Sequence, residues 1–266
     1  MDLDLKGKAA IVTGGSRGIG KAIAFELARE GAEVAIVARS AAALEASAAQ
    51  ISREVGRAIK AVPADTGDDA SVKAMVAAVL SAFGRVDILV NCAAQPAGQS
   101  RPPTLAQITT EDLWADVNVK VMGYIRTARE VAPAMAERGG GRIINISGLA
   151  ARSTGSIIGS IRNVSVAALT KNLAEELGAQ GITAVCVHPG LTRTEKTPEV
   201  VERRAAAQGV SAADIEKQMA GLNLVGKLIA AEEIAQIVAF LASPRSIAIN
   251  GDVIAAGGGT RGAIYY

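Results

Sequence analysis

Short apolar runs rich in β-branched residues alternate along the chain with longer, alanine-rich amphipathic stretches. Ala9-Ala10-Ile11-Val12 leads into a predicted helix near Lys21 to Glu30, and Glu33-Val34-Ala35-Ile36-Val37 into one near Ala41 to Arg53. Ala58 to Val62 precedes a helix near Ala70 to Phe83, after which Val86-Asp87-Ile88-Leu89-Val90 follows. The later runs are Arg142-Ile143-Ile144-Asn145-Ile146, Thr183-Ala184-Val185-Cys186-Val187 and Asp252-Val253-Ile254-Ala255. Strands this apolar on both faces belong inside a parallel sheet covered by helices on each side. Repeated strand-helix units predict one α/β domain over 1–266, a Rossmann-type doubly wound parallel sheet of about seven strands with helices on both faces. The least regular stretch, 191–226, is rich in charge and turn residues and follows the sixth strand. Loops at the carboxyl ends of such strands border the ligand crevice, so this stretch is expected to be a lid-like insertion.

Between the first strand and the first helix lies Thr13-Gly14-Gly15-Ser16-Arg17-Gly18-Ile19-Gly20. A helix N-terminus offers unpaired N–H groups and a positive dipole end, and it holds a pyrophosphate when the backbone can come close. Gly14, Gly18 and Gly20 permit that approach, with Ser16, Arg17 and Ile19 in the same turn. The second strand ends Val37-Ala38-Arg39-Ser40 and offers no acid to a ribose 2′-hydroxyl. An arginine at that place suits a 2′-phosphate instead, so Arg39 and Arg17 favour NADP(H) over NAD(H).

Charge changes this picture little. The chain has 28 Lys+Arg against 26 Asp+Glu, which gives no pull toward nucleic acid or an anionic membrane. No apolar run approaches the roughly 18 residues of a membrane span. Met1-Asp2-Leu3-Asp4-Leu5-Lys6 lacks the basic-then-apolar order of a signal peptide. A cytoplasmic protein that binds a small molecule is expected, with no nucleic-acid or membrane partner and no metal. Cys92 and Cys186 lie in apolar runs and are expected to be buried, reduced thiols.

Several further motifs, together with the glycine turn, resemble those of the short-chain dehydrogenases/reductases. They are Pro63-Ala64-Asp65-Thr66, Asp87-Ile88-Leu89-Val90-Asn91-Cys92-Ala93-Ala94, Asp116-Val117-Asn118 and Gly141-Arg142-Ile143-Ile144-Asn145-Ile146-Ser147. Leu169-Thr170-Lys171 and Val187-His188-Pro189-Gly190 complete the set, so the resemblance spans nearly the whole chain. It implies that Asp65, beside Thr66, faces an adenine, and that Asn91 steadies the sheet next to the cofactor, near Ala93. It also implies that Pro189, Gly190, Leu191 and Thr194 line the nicotinamide end. Where the family has Asn-Asn-Ala-Gly, this chain has Asn91-Cys92-Ala93-Ala94, which adds a methyl close to the cofactor. A homotetramer or homodimer through helices at 113–136 and 156–177 is implied as well.

The resemblance further implies four catalytic groups. A serine orients the carbonyl, a tyrosine donates the proton, a lysine four residues later lowers the tyrosine pKa and holds the ribose, and an asparagine positions a relay water. Asn118 matches the asparagine. Counting from Gly141 to Ile146 puts the serine position at Gly148, with Ser147 one residue early. Counting from Leu169-Thr170-Lys171 puts the tyrosine at Gly159 and the lysine at Asn163. A slip of one residue gives Ser160 and Val164, and neither register restores a phenol or an ammonium. Asn118 and Ser147 are the catalytic candidates left, with His188, the only histidine, beside the nicotinamide end. Arg162 reads as a surface or interface residue, Lys171 as structural or solvated, and Tyr124 as core. Tyr265 and Tyr266 are terminal phenols that could swing in.

A general acid contributes about 10²- to 10⁴-fold, so ordinary carbonyl reduction is not expected. Three functions fit these residues. The first is an NADP(H)-dependent oxidoreductase with an atypical site, acting on a small carbonyl or an activated C=C bond. The second is a catalytically inactive nucleotide-binding subunit in a hetero-oligomer with an active relative. The third is a non-redox lyase or isomerase, and the intact cofactor turn argues against it.

Overall fold

In the computed structural model, residues 1–95 and 102–260 are described. The chain runs β1 (Ala9–Thr13), α1 (Gly18–Arg29), β2 (Glu33–Ala38), α2 (Ala41–Val55), β3 (Ile59–Pro63), α3 (Asp69–Phe83) and β4 (Ile88–Asn91). It continues through α4 (Thr110–Val117), α5 (Gly123–Glu137), β5 (Gly141–Ile146), α6 (Ile157–Leu177) and β6 (Ile182–Pro189). Then come β7 (Thr192–Arg193), α7 (Thr197–Gln208), α8 (Ala212–Ala220), β8 (Ile229–Ala230), α9 (Ala231–Ala242) and β9 (Val253–Ala256).

Seven strands form one parallel sheet in the order β3-β2-β1-β4-β5-β6-β9. Side chains alternate across it, as period 2 requires. Ala10 and Val12 of β1 pack with Ile23 and Leu27 of α1 and Ile234 and Val238 of α9 on one face. Ile11 packs with Val72 and Met75 of α3 and Val131 and Met135 of α5 on the other. The all-apolar strands are therefore covered twice, as their composition predicts. β1 pairs with β2 on one side and β4 on the other, and the order reverses there. A crevice opens outside the carboxyl ends of the strands at such a switch point.

Two features differ from the sequence expectation. The helix expected over 113–136 begins at Thr110 and contains a π-helical turn, Asn118–Met122, closed by the Gly123 N–H bonding to the Asn118 carbonyl. The stretch 191–226, expected to be irregular, is built from α7 and α8 around Val201, Ala205, Ile215, Met219 and Leu228. Only Thr197, Val201 and Ala205 of α7 are buried, too narrow a stripe to stand out among its charges. The short β7–β8 pair ties the start of this unit to the chain entering α9.

Candidate functional site

The site begins where β1 ends. Thr13 Oγ1 accepts the N–H groups of Cys92 and Ala93 at 3.0 and 3.2 Å, which fastens the chain after β4 to the glycine turn. The turn is too tight for side chains at key places. A Cβ on Gly20 would stand 2.3 Å from the Gly14 carbonyl oxygen, and one on Gly14 2.9 Å from that of Cys92. Helix α1 starts at Gly18 with no cap from the Arg17 side chain. Instead the Glu195 carboxylate accepts the Gly18 N–H, at 3.1 Å to each oxygen. A carboxylate drawn to this amide is a stand-in for phosphate, since a helix N-terminus with free N–H groups binds anions.

Around this point lies a crevice of about 700 Å³. Of the residues expected at the cofactor, Gly14, Ser16, Arg17, Gly18, Ile19, Gly20, Arg39, Asp65, Thr66, Ala93 and Thr194 border it. Arg17 and Arg39 are both exposed at its rim. Val37, Ala38, Ala64 and Val119 supply apolar wall, as a dinucleotide's base needs. The anion-ready amide, the two arginines and the apolar wall together fit a phosphorylated dinucleotide.

The other expected cofactor residues stand apart. Asn91 is buried in the sheet, donating to Asn145 Oδ1 at 3.0 Å and accepting from Thr127 Oγ1 at 2.7 Å. Asn145 in turn donates to Thr170 Oγ1, so this polar chain pins α5 and α6 across β4 and β5. Pro189 ends β6. Gly190 packs on Gly257 and Leu149 and borders a second cavity of about 250 Å³, with Leu191 and Met219.

At the reacting end the two counts from separate motifs converge. Ser147 Oγ donates to the Asn163 carbonyl at 3.0 Å and lies 3.3 Å from its Oδ1. A Cβ on Gly148 would stand 3.2 Å from Asn163 Nδ2. Gly159, one helical turn earlier on α6, is buried beside them. Positions 148, 159 and 163 thus share one corner of the fold, and none of the three carries a phenol or an ammonium.

Asn118 is not brought to this corner. Its amide donates to the Gly67 carbonyl at 3.2 Å and accepts from Arg126 at 2.9 Å, so it braces the Asp65–Asp69 loop, where Arg126 also pairs with Asp69. Asn118 opens the π turn, whose extra residue rotates the positions that follow it. Lys120 occupies the place facing Ser147. It is 4% exposed, and its Nζ donates to the Ser147 carbonyl at 3.0 Å. Burial, with Arg162 nearby, lowers its pKa to about 8. A lysine inside the apolar run Val119-Lys120-Val121-Met122 was the signal that could have found it.

Arg162, read as a surface residue, is buried and ion-paired to Asp116 of α4. Packing of α4 on α6 covers both, which helical periodicity alone does not reveal. His188 is 1% exposed, and neither ring nitrogen has a partner among the described residues. Burial, then the charges of Arg152 and Lys120, lower its pKa to about 4, which keeps it neutral near pH 7. Tyr124 is core, its hydroxyl donating to the Ile146 carbonyl at 2.9 Å. Lys171 is exposed. Tyr265 and Tyr266 lie outside the described residues. Both cysteines are free, and burial raises Cys92 to about 11 and Cys186 to about 12, so they stay protonated. No helix among the described residues is long and apolar enough to cross a membrane, and no cluster of three potential metal ligands occurs there.

A family model described as short chain dehydrogenase matches residues 8–205. The short-chain reductase protein NovJ of Streptomyces niveus is 35% identical over 251 residues, 94% of this chain and 92% of that protein. The (2S)-[(R)-hydroxy(phenyl)methyl]succinyl-CoA dehydrogenase subunit BbsD of Thauera aromatica is 33% identical over 258 residues, 97% and 98% of the two chains. L-Sorbose reductase from Gluconobacter frateurii, solved with NADPH and L-sorbose, superposes with a TM-score of 0.93 at 29% identity, over 99% of this chain and 100% of that one. Matched from the glycine turn into α7 in sequence and nearly end to end in fold, the chain belongs to the short-chain dehydrogenase family of oxidoreductases.

Proposed function

We propose that this chain is an NADP(H)-dependent oxidoreductase that works without a protein phenol, on a small electron-poor carbonyl or activated C=C acceptor. The observation that carries the reading is the contrast between the crevice and the corner where Gly148 meets Asn163. The cradle keeps its glycines, its anion-ready Gly18 amide and two rim arginines, while Gly148, Gly159 and Asn163 stand where the family's serine, tyrosine and lysine would. Arg39 and Arg17 would grip the 2′-phosphate, Thr194 and Gly190 would face the nicotinamide, and Asp65 the adenine. The NADPH bound to the solved L-sorbose reductase supports the same preference. When bound, the cofactor supplies a hydride. The chain's own part is to hold the two reactants at short range, an effect large enough to give turnover with an acceptor that needs little acid help. The cavity between Leu149, Leu191 and Met219 suits the apolar part of that acceptor, with the α7–α8 unit as its lid.

One observation favours a second reading. Ile157, Ile161 and Val164 lie on one side of α6 at helical spacing and are about half exposed, with Trp114 of α4 exposed as well. This face supports assembly through α4 to α6, as a homodimer or homotetramer or as the nucleotide-binding subunit of a hetero-oligomer.

NADPH oxidation with isatin, an electron-poor ketone, set against cyclohexanone separates the two. Turnover of isatin alone is the expected result, and NADPH binding with neither ketone reduced supports the subunit reading. A companion variant, Gly159→Tyr with Asn163→Lys, should bring cyclohexanone reduction up by about 10²-fold. The new Cβ at 159 would meet Ser156 Oγ at 2.7 Å, so that cap hydroxyl has to swing aside.

A further inference from the structure

Lys120 is a buried charge that the reading above leaves without work. It sits in the π turn, and such turns are frequent at functional sites. Its chain neighbour Val119 and the nearby Cys92 both border the cofactor crevice. Its ammonium is bonded to the carbonyl of Ser147, whose hydroxyl is bonded to Asn163. Lys120 therefore lies between the crevice wall and the corner where 148, 159 and 163 meet.

Among the described residues no carboxylate lies within ion-pair distance of Lys120, and Asp116 acts on it only as a more distant charge. Arg162 of α6 is matched by Asp116 of α4. Cys92 after β4 and Cys186 of β6 remain thiols, the Tyr124 phenol of α5 is pushed well above its ordinary value, and His188 of β6 is neutral. An ammonium this buried, with a carbonyl as its direct partner, is costly to keep charged.

We propose that Lys120 supplies, from the far side of Ser147, the ammonium that Asn163 lacks, and stabilises the negative charge that develops on the acceptor oxygen. The inference rests on the NADP(H) reading. As hydride adds to the acceptor carbon, the C=O π pair moves onto oxygen to give an alkoxide, or an enolate from a conjugated acceptor, and a proton from water completes the alcohol or ketone. The carbonyl or alkene is reduced and the nicotinamide oxidised. Lys120 acts as a positioning charge in this step, and acceptors whose reduction passes through an oxyanion are the class it selects.

The test does not need turnover. The oxidised nicotinamide ring is cationic and the reduced ring neutral, so a nearby ammonium disfavours NADP⁺ relative to NADPH. The 2′-phosphate is common to both nucleotides and cancels in the ratio. Both are titrated by calorimetry at about pH 6.5 and about pH 9.5, on either side of the Lys120 pKa of about 8. In the wild type the preference for NADPH should fall by about tenfold as the pH rises. Lys120→Met should abolish that pH dependence, and Lys120→Arg, whose charge does not titrate, should keep the preference high at both values. If Lys120→Met does not fold, the wild type and Lys120→Arg still decide. A wild-type preference that is flat with pH, or a Lys120→Met protein that behaves as wild type, overturns the inference. No binding of either nucleotide by the wild type overturns the NADP(H) reading on which it rests.

Discussion

The crevice at the ends of β1 and β2 and the corner between β5 and α6 are made from different material. At the first, the glycine turn is a backbone feature, with close passage of Gly14 and Gly20 and an N–H at Gly18, joined by only two arginine side chains at the rim. At the second, the proposed reading puts Gly148, Gly159 and Asn163 where the family's catalytic side chains would stand. A backbone device is kept by the fold that builds it, whereas a side-chain device vanishes with a few substitutions. Binding and chemistry are thus separable in this fold, and fold alone does not certify the chemistry. Lys120 and the Arg162–Asp116 pair give the second end buried charge, with the neutral His188 beside them.

Breaking each end separately sharpens the comparison. Asp116→Asn leaves Arg162 buried without its partner and should destabilise the protein by about 3–5 kcal/mol in urea unfolding, with nucleotide affinity of the folded fraction kept. Gly20→Ala does the reverse. Its methyl meets the Gly14 carbonyl oxygen, and NADPH affinity should fall by about 100-fold in calorimetry, with a smaller cost of about 1–3 kcal/mol in stability. His188 titrates at about 4 when folded and near 6.5 when unfolded, so the unfolded chain takes up the proton first as the pH falls. Its contribution is full above about pH 6.5 and is lost down to about pH 4, up to about 3 kcal/mol, a slope that His188→Gln should remove from urea midpoints. Glu195→Gln has the smallest effect. Weakening the carboxylate that covers Gly18 should tighten NADPH binding about two- to fivefold in a fluorescence titration.

The sheet was readable because each strand is apolar on both faces, and the glycine turn because the pyrophosphate's needs fall on consecutive residues. The proximity of Gly148 and Asn163 was also readable, since two motifs counted independently bring them together. What was hidden depends on non-local packing. The π turn at Asn118–Met122 has no sequence signature; Asn118 at its start meets Gly67, and Lys120 within it meets Ser147. Burial of Arg162 needs α4 laid on α6, and the Glu195 contact to Gly18 joins residues far apart in the chain. Helix α7 was hidden by the narrowness of its buried stripe.

The most direct measurement is a calorimetric titration of the wild-type protein with NADPH and, separately, NADH, repeated on Arg39→Ala. The account predicts that NADPH binds at least about tenfold more tightly than NADH and that Arg39→Ala removes the difference, as expected for a charge-assisted contact to the 2′-phosphate. Equal affinity for the two nucleotides, or no binding of either, would contradict it.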